Sequence, residues 1–138
     1  MKKIITIALL LVAFTLAACG GGGDEAPAAG DNGPITLDFE GQDIAFDKSS
    51  VSVNAGQEVT VNFNNVGSLE HNWVLVSGSV DPLSATESDA LAGANSGVLA
   101  GGESTTFTFT APPPGEYQFV CTTEGHATAG MVGTFTVN

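Results

Sequence analysis

The sequence predicts an all-β protein, a Greek-key sandwich of two sheets built from seven or eight short strands. Apolar and polar residues alternate in short runs, as from Ile35 through Leu37 to Phe39, which is typical of half-buried strands. Turn-forming glycine, proline and asparagine residues separate these runs at short intervals. No regular helical pattern alternates with the strands, and this disfavours a parallel α/β sheet.

The strand candidates fall into two groups. Those of the N-terminal half are interrupted by polar turns and span 35–39, 44–46, 51–53, 59–63 and 71–76. Those of the C-terminal half include a stiff proline turn and span 103–109, 117–121 and 132–137. In the second of these, Tyr117, Phe119 and Cys121 point to one side of the sheet because side chains alternate along a strand.

The segment between the two groups, 77–102, has a different pattern. Asp81 is suited to cap a helix whose first residue is Pro82. Ser84 and Glu87 have the spacing of a capping box. We therefore expect a short helix or flap near 81–92.

The N-terminus has the pattern of an export signal. A short basic start precedes an apolar run, 4–16, that is too short to span a bilayer comfortably. The run ends in Leu16-Ala17-Ala18-Cys19, which resembles the bacterial lipoprotein cleavage box. An ordinary cleaved signal with an incidental cysteine is the alternative. We predict a lipoprotein signal peptide at 1–18, lipidation of Cys19, a flexible glycine-rich acidic tether at 19–33 and one domain at 34–138.

The sequence is strongly acidic, with a formal net charge of −12 at pH 7 and no arginine. Without the predicted signal, Lys48 is the one remaining lysine against fifteen acidic side chains. Such a surface repels phosphate backbones, so we expect no nucleic-acid partner. The charge either steers a basic docking partner or only keeps the protein soluble.

A thiol, an imidazole and a thioether recur at five-residue intervals near the C-terminus, at Cys121, His126 and Met131. His71, the one other histidine, lies fifty residues upstream of Cys121. A cysteine thiolate, two histidines and a weak axial methionine are the ligands of trigonal blue-copper electron-transfer sites. The sequence therefore indicates one type 1 copper per chain, cycling between Cu(II) and Cu(I), held by these four residues.

Other uses of these side chains fit less well. Structural zinc sites normally take more cysteine or histidine in place of a thioether. A dinuclear copper centre of the oxidase type needs a second ligating cysteine, and Cys19 is assigned to processing. A cysteine nucleophile with His126 or His71 as its base leaves Met131 without a role, so we expect that the protein is not an enzyme.

His71-Asn72-Trp73 followed by Cys121-x4-His126-x4-Met131 resembles the cupredoxins, and about residues 35–138 carry the likeness. The stretch from Gly125-His126 to Ala129-Gly130-Met131-x-Gly133-Thr134 is most similar to the auracyanin group, the blue copper proteins of filamentous anoxygenic phototrophic bacteria. The resemblance implies a cupredoxin sandwich with copper at the four residues named above. It also implies that the Asn72 side chain, behind the ligands, ties the two ligand-bearing loops together.

These observations favour a one-electron carrier. The second half of the loop after Cys121, from Ala127 to Met131, offers a small uncharged surface, so we expect the edge of His126 to be the electron port. The docking patch would comprise His126, Ala127, Thr128 and Ala129. The resemblance implies a quinol-oxidising membrane complex as donor and a photosynthetic reaction centre, through its cytochrome, as acceptor; a respiratory partner fits the residues equally well. We expect a monomer in the cell envelope, lipid-anchored to the outer, periplasmic face of the cytoplasmic membrane.

Two other functions stay open from the residues alone. A periplasmic copper chaperone or copper-buffering protein would use the same soft ligands but hand the copper on. A metal-free adhesive or structural sandwich would not need His71 or Cys121 for its function.

Overall fold

The structure is a computed structural model and describes residues 32–138. This part of the chain forms nine strands and one 3-10 turn, Glu87–Asp89. The strands are β1 (Ile35–Gln42), β2 (Ala45–Phe46), β3 (Ser50–Val53), β4 (Glu58–Asn65), β5 (Val74–Ser77), β6 (Ala90–Asn95), β7 (Ser104–Thr110), β8 (Gly115–Val120) and β9 (Val132–Val137).

The predicted two-sheet sandwich is confirmed. One sheet has the strand order β2-β1-β4-β7 and the other has the order β3-β9-β8-β5-β6. Most neighbouring strands are antiparallel, but β1 pairs in parallel with β4, and β3 pairs in parallel with β9. The β3–β9 pair joins the third strand of the domain to the last, so this edge of the second sheet depends on contacts between residues 84 positions apart.

All eight strand candidates form strands, and a ninth strand, β6, begins within the helix or flap predicted near 81–92. Helical structure there is limited to the 3-10 turn Glu87–Asp89. The amide of Thr86 donates to Asp89 Oδ2 at 2.8 Å, so the capping residues lie two positions beyond those expected. β6 has the sequence Ala-Leu-Ala-Gly-Ala-Asn, without a β-branched residue, and pairs with β5. Its strand conformation therefore comes from this pairing and not from local propensity.

The core between the sheets is aromatic and centred on Trp73, which is fully buried. The Phe119 ring is nearly parallel to the indole, with an interplanar angle of 13°. Such aromatic pairs stabilise by about 0.5–1.5 kcal/mol beyond their burial. Because Trp73 is two residues after His71, the core anchors the segment that carries His71. Five phenylalanine rings surround the indole, with centroids 5.5–6.4 Å away: Phe39, Phe107, Phe109, Phe119 and Phe135.

A smaller apolar cluster lies on the outer face of the β5–β8 pair. Val74, Val76 and Val120 are buried in it together with Ala127. Side chains from the 77–102 segment cover it: Val80, Ala85 and Ala90. This segment therefore packs against the sheet, and Ala127 attaches the loop after Cys121 to the same cluster.

Several sequence predictions concern residues outside the described range. The signal peptide at 1–18, the lipidated Cys19 and nearly all of the tether at 19–33 precede residue 32. At the domain boundary, Gln57 Nε2 donates a hydrogen bond to Gly33 O at 2.7 Å. Within 32–138 we find no helix with the length and apolar character that crossing a bilayer requires.

Gly133 in β9 lies beneath the ring of Phe119, where an added Cβ atom would be 2.0 Å from Phe119 Cζ. Gly133→Ala should therefore lower the free energy of unfolding by about 1–3 kcal/mol, the usual cost of overpacking a core. Urea denaturation of the metal-free protein measures the loss. Gly115→Ala in the neighbouring β8 is the matched control, since its Cβ would have no contact closer than 3.5 Å. Equal stabilities for the two variants would contradict this prediction.

Candidate metal centre

His71 is fully buried and lies in the connection between β4 and β5. It forms an isolated antiparallel bridge with Leu99, in which the two amides donate at 3.0 and 2.8 Å. The sequence pattern predicts a strand that begins at His71, but β5 begins at Val74, so this boundary is wrong by three residues. The bridge to Leu99, and not a sheet, fixes the backbone of His71.

Cys121 directly follows β8, and residues 122–130 turn back to bring Met131 to the start of β9. The Cys121 amide donates to Met131 O at 3.1 Å, and the Met131 amide donates to His126 O at 3.0 Å. Gly125 and Gly130 have φ values of 81° and 107°, which residues with a Cβ atom rarely adopt. These turns fix the backbone positions of Cys121, His126 and Met131 relative to one another.

The structure brings His71, Cys121 and His126 together in one buried cluster. Their ligand atoms all lie within 4.8 Å of one another. Nδ1 of His71 is 3.1 Å from Nδ1 of His126, and Cys121 Sγ is 3.9 and 3.5 Å from these two nitrogens. Two imidazole nitrogens and a sulfur this close, with no carboxylate in the group, suit one soft or borderline metal ion bound by all three.

Met131 is fully buried at the end of the same loop. Its backbone is hydrogen-bonded to both Cys121 and His126. A thioether is a soft ligand that binds weakly in the axial position of blue-copper sites. The four residues predicted from the sequence therefore belong to one site.

The protonation state of His71 also suits metal binding. Burial lowers the pKa of His71 below its usual value, and the neighbouring His126 lowers this pKa further, while the Asp43 carboxylate acts in the opposite direction. The neutral imidazole is the form that binds a metal. His71 therefore keeps a free nitrogen lone pair at lower pH than an exposed histidine does.

Asn72 is fully buried beside His71 and bonds across to the residue after Cys121. The Thr122 amide donates to Asn72 Oδ1 at 2.8 Å, and Asn72 Nδ2 donates to Thr122 Oγ1 at 2.8 Å. Nδ2 also lies 3.5 Å from Glu87 Oε1. The two bonds to Thr122 connect the segment that carries His71 to the loop that carries Cys121 and His126.

The two imidazoles differ in their access to solvent, since His126 is 8% exposed and His71 is fully buried. Thr128 and Ala129 are exposed beside His126, whereas Ala127 is buried. Larger apolar side chains that the sequence did not assign to the site lie on the loops adjoining His71. Val66 and Leu69 each stand alone among polar residues and glycine, Ile44 begins the predicted strand 44–46, and Val98 precedes Leu99, so no shared local pattern marks them. They are 39–48% exposed: Ile44, Val66, Leu69 and Val98.

The sequence profile of the copper-binding proteins of the plastocyanin/azurin family matches residues 34–138. The chain belongs to this cupredoxin family. Auracyanin-A of Chloroflexus aurantiacus is 36% identical to this cupredoxin over 161 aligned positions, which cover all of this chain and 98% of the relative. The protein is thus an auracyanin-like cupredoxin, and its cofactor is a single type 1 copper.

Solved auracyanin structures share the fold of this cupredoxin. Dithionite-reduced auracyanin from the photosynthetic bacterium Roseiflexus castenholzii is 34% identical and has a TM-score of 0.66, over 75% of this chain and 96% of that one. Auracyanin A, a "blue" copper protein from the green thermophilic photosynthetic bacterium Chloroflexus aurantiacus, is 35% identical with a TM-score of 0.63, over 76% and 99%. The likeness in sequence therefore extends to the arrangement of the strands.

Proposed function

We propose that this cupredoxin is a membrane-tethered blue copper protein that carries single electrons between membrane-associated redox complexes. Its copper ligands in this proposal are His71, Cys121, His126 and Met131. The observation that carries the proposal is the convergence of three of these ligands, whose donor atoms lie within 4.8 Å of one another in a buried cluster. Met131 supplies the fourth ligand from the same loop, where it is also buried.

When bound, copper supplies a centre that takes up and returns one electron at a time, as Cu(II) and Cu(I). The residues of the chain keep the ligand atoms in place during this change. Cys121 and Met131 adjoin the paired strands β8 and β9, and the 122–130 loop between them is closed by its own hydrogen bonds. A backbone that moves little between the Cu(II) and Cu(I) states favours electron transfer over release of the metal.

We assign Asn72 the role of tying the two ligand-bearing loops together. Both ends of its side-chain amide are used, because Oδ1 accepts from the Thr122 amide and Nδ2 donates to the Thr122 hydroxyl. A buried amide with both groups satisfied favours one arrangement of the segments that it joins. These bonds support a role for Asn72 in keeping His71 at a constant distance from Cys121.

The edge of His126 is the proposed electron port, within a docking patch of His126, Ala127, Thr128 and Ala129. His126 is 8% exposed whereas His71 is fully buried, and Thr128 and Ala129 beside it are exposed, which supports this assignment. Ala127 is itself buried in the apolar cluster with Val120, so the exposed part of the patch is Thr128, Ala129 and the edge of His126. The patch carries no formal charge when His126 is neutral, so a partner can approach it closely. Acidic residues elsewhere on the surface would attract a basic partner and speed the encounter.

The donor in this proposal is a quinol-oxidising membrane complex, and the acceptor is a cytochrome or a reaction centre. The description of auracyanin A as a "blue" copper protein of a photosynthetic bacterium supports a photosynthetic chain; a respiratory chain uses the same chemistry. Lipid on Cys19 would hold the monomer at the outer face of the cytoplasmic membrane. The tether at 19–33 would let the domain move between its partners.

Reconstitution with copper tests the electron-carrier function. We expect one Cu(II) per chain, an intense visible charge-transfer band, and a reversible one-electron reduction that leaves the copper bound in the presence of a mild chelator. A copper chaperone or buffer would instead lose its copper rapidly to the chelator. A colourless copper complex would exclude the proposed ligand set.

A further inference from the structure

The turn between β1 and β2 faces the segment that leads to His71. Asp43, in this turn, accepts hydrogen bonds from that segment. The Ser68 amide donates to Asp43 Oδ1 at 2.7 Å, and the Ser68 hydroxyl lies 3.2 Å from both carboxylate oxygens. The Leu69 amide, two residues before His71, donates to Asp43 Oδ1 at 3.4 Å. Asp43 therefore holds the backbone just before His71.

Two local features show how tightly the turn is packed against this segment. Ile44, the next residue, has a φ of 65°, a strained conformation for a β-branched side chain. Gly67 lies so close that an added Cβ atom would be 2.6 Å from Asp43 Oδ1. Strain of this kind persists where surrounding contacts over-determine it, often at functional sites. The contacts of Asp43 with the 67–69 segment are among the contacts that maintain this strained conformation.

The end of β1, which leads into this turn, is close to His71 itself. An added Cβ atom on Gly41, two residues before Asp43, would lie 3.5 Å from His71 Cβ. The Val66 and Gly67 amides donate to Gly41 O at 2.9 and 3.1 Å, so the end of β1 and this segment form one unit. The hydrogen bond from the Ser68 amide lowers the pKa of Asp43 below its usual value. The carboxylate is therefore ionised at neutral pH, and the Ser68 and Leu69 amides hold its negative charge against the backbone two to three residues before His71.

We propose that Asp43 is a positioning residue for His71 and that its charge lowers the reduction potential of the copper centre. This inference rests on the proposed function and deepens it. Reduction adds one electron, drawn from the donor complex, and decreases the positive charge of the centre by one. A nearby carboxylate stabilises the more positive, oxidised state more than the reduced state, so it favours the oxidised protein.

Salt separates the electrostatic effect of Asp43 from its structural effect. Asp43 is exposed, and charges at exposed positions are screened over a Debye length of about 8 Å at physiological ionic strength. The contribution of Asp43 to the potential should therefore decrease as salt is raised. A shift caused only by a displaced backbone would not follow the ionic strength in this way.

The test compares the midpoint potentials of copper-loaded Asp43→Asn, Asp38→Asn and the parent. Both substitutions remove one negative charge, and asparagine retains an oxygen that can accept from Ser68. Asp38 is exposed on β1, hydrogen-bonded to Asn62 at 2.8 Å, and lies about 10 Å before Gly41 along the strand. We expect an upward shift of the potential for Asp43→Asn, largest at low salt, and a much smaller shift for Asp38→Asn.

Amide hydrogen exchange in the metal-free protein gives a readout that does not depend on copper. The Ser68 and Leu69 amides should exchange faster in Asp43→Ala than in the parent. In Asp43→Asn, which keeps an oxygen that can accept from them, their exchange rates should lie between those of the alanine variant and the parent. Equal shifts of potential in the two asparagine variants, or unchanged exchange in Asp43→Ala, would overturn the proposal. If the copper-loaded parent shows no intense visible band, this result counts against the proposed function. The exchange rates of the metal-free variants would still test the positioning role of Asp43.

Discussion

Cys121→Ser should abolish the intense visible band of the copper-loaded protein. Cys121 Sγ is the one thiol sulfur among the four proposed ligands and lies 3.9 and 3.5 Å from Nδ1 of His71 and of His126. The band arises from charge transfer between a thiolate and Cu(II), and a serine hydroxyl is a harder ligand that does not supply it. Absorption spectra recorded during a titration with Cu(II) measure the loss.

The same substitution at Cys19 is the matched control, because Cys19 is the other cysteine of the chain and is not one of the four proposed ligands. Cys19→Ser should keep the full visible band. Circular dichroism should show the same fold in both variants, since replacing a buried sulfur by oxygen changes the side-chain volume little. A band of parental intensity in Cys121→Ser would refute the assignment of Cys121 as a copper ligand.

Trp73→Ala should lower the free energy of unfolding of the metal-free protein by about 3–5 kcal/mol, the range for truncating a buried aromatic residue. The indole is fully buried and contacts five phenylalanine rings, so its removal leaves a large cavity between the sheets. Domains are typically stable by only about 5–15 kcal/mol. The variant should therefore unfold at a much lower urea concentration than the parent.

Trp73→Phe separates the loss of packing from the loss of the indole N–H group. Nε1 of Trp73 is buried and has no hydrogen-bond partner within residues 32–138. Phenylalanine keeps one ring against Phe119 and removes this unpaired donor, so it should cost clearly less than alanine. An alanine variant within about 1 kcal/mol of the parent, the average effect of a substitution, would show that Trp73 is not the centre of the core.

In the strands that the sequence predicts, apolar and polar residues alternate, and the apolar face is the one that is buried. Ile35 to Phe39 and Val59 to Phe63 are examples, and both lie in strands of the structure. β6 carries no such signal, because alanine, glycine and asparagine have low strand propensity. It forms through pairing with β5, and this pairing exists only after the 77–102 segment has folded onto the sheet.

The candidate ligands could be recognised from side-chain chemistry and spacing. Three of them share one loop, and His71 is the one other histidine. Asp43 could not be recognised in this way, since a single aspartate in a polar turn looks like any solvated turn residue. Its role becomes visible only when the 67–69 segment, twenty-five residues away along the chain, is seen to donate to it.

By itself, the sequence determined eight of the nine strands of residues 32–138, the family resemblance and the types of metal ligand. These properties depend on local alternation and on the chemistry of individual side chains. Only the tertiary structure decided that Nδ1 of His71 lies 3.1 Å from Nδ1 of His126, across fifty-five positions of sequence. The resemblance implied that Asn72 ties the two loops together, but only the structure shows that Thr122 is its partner and that Asp43 approaches Ser68. Contacts of this kind arise from long-range strand pairing and loop packing, which no local pattern encodes.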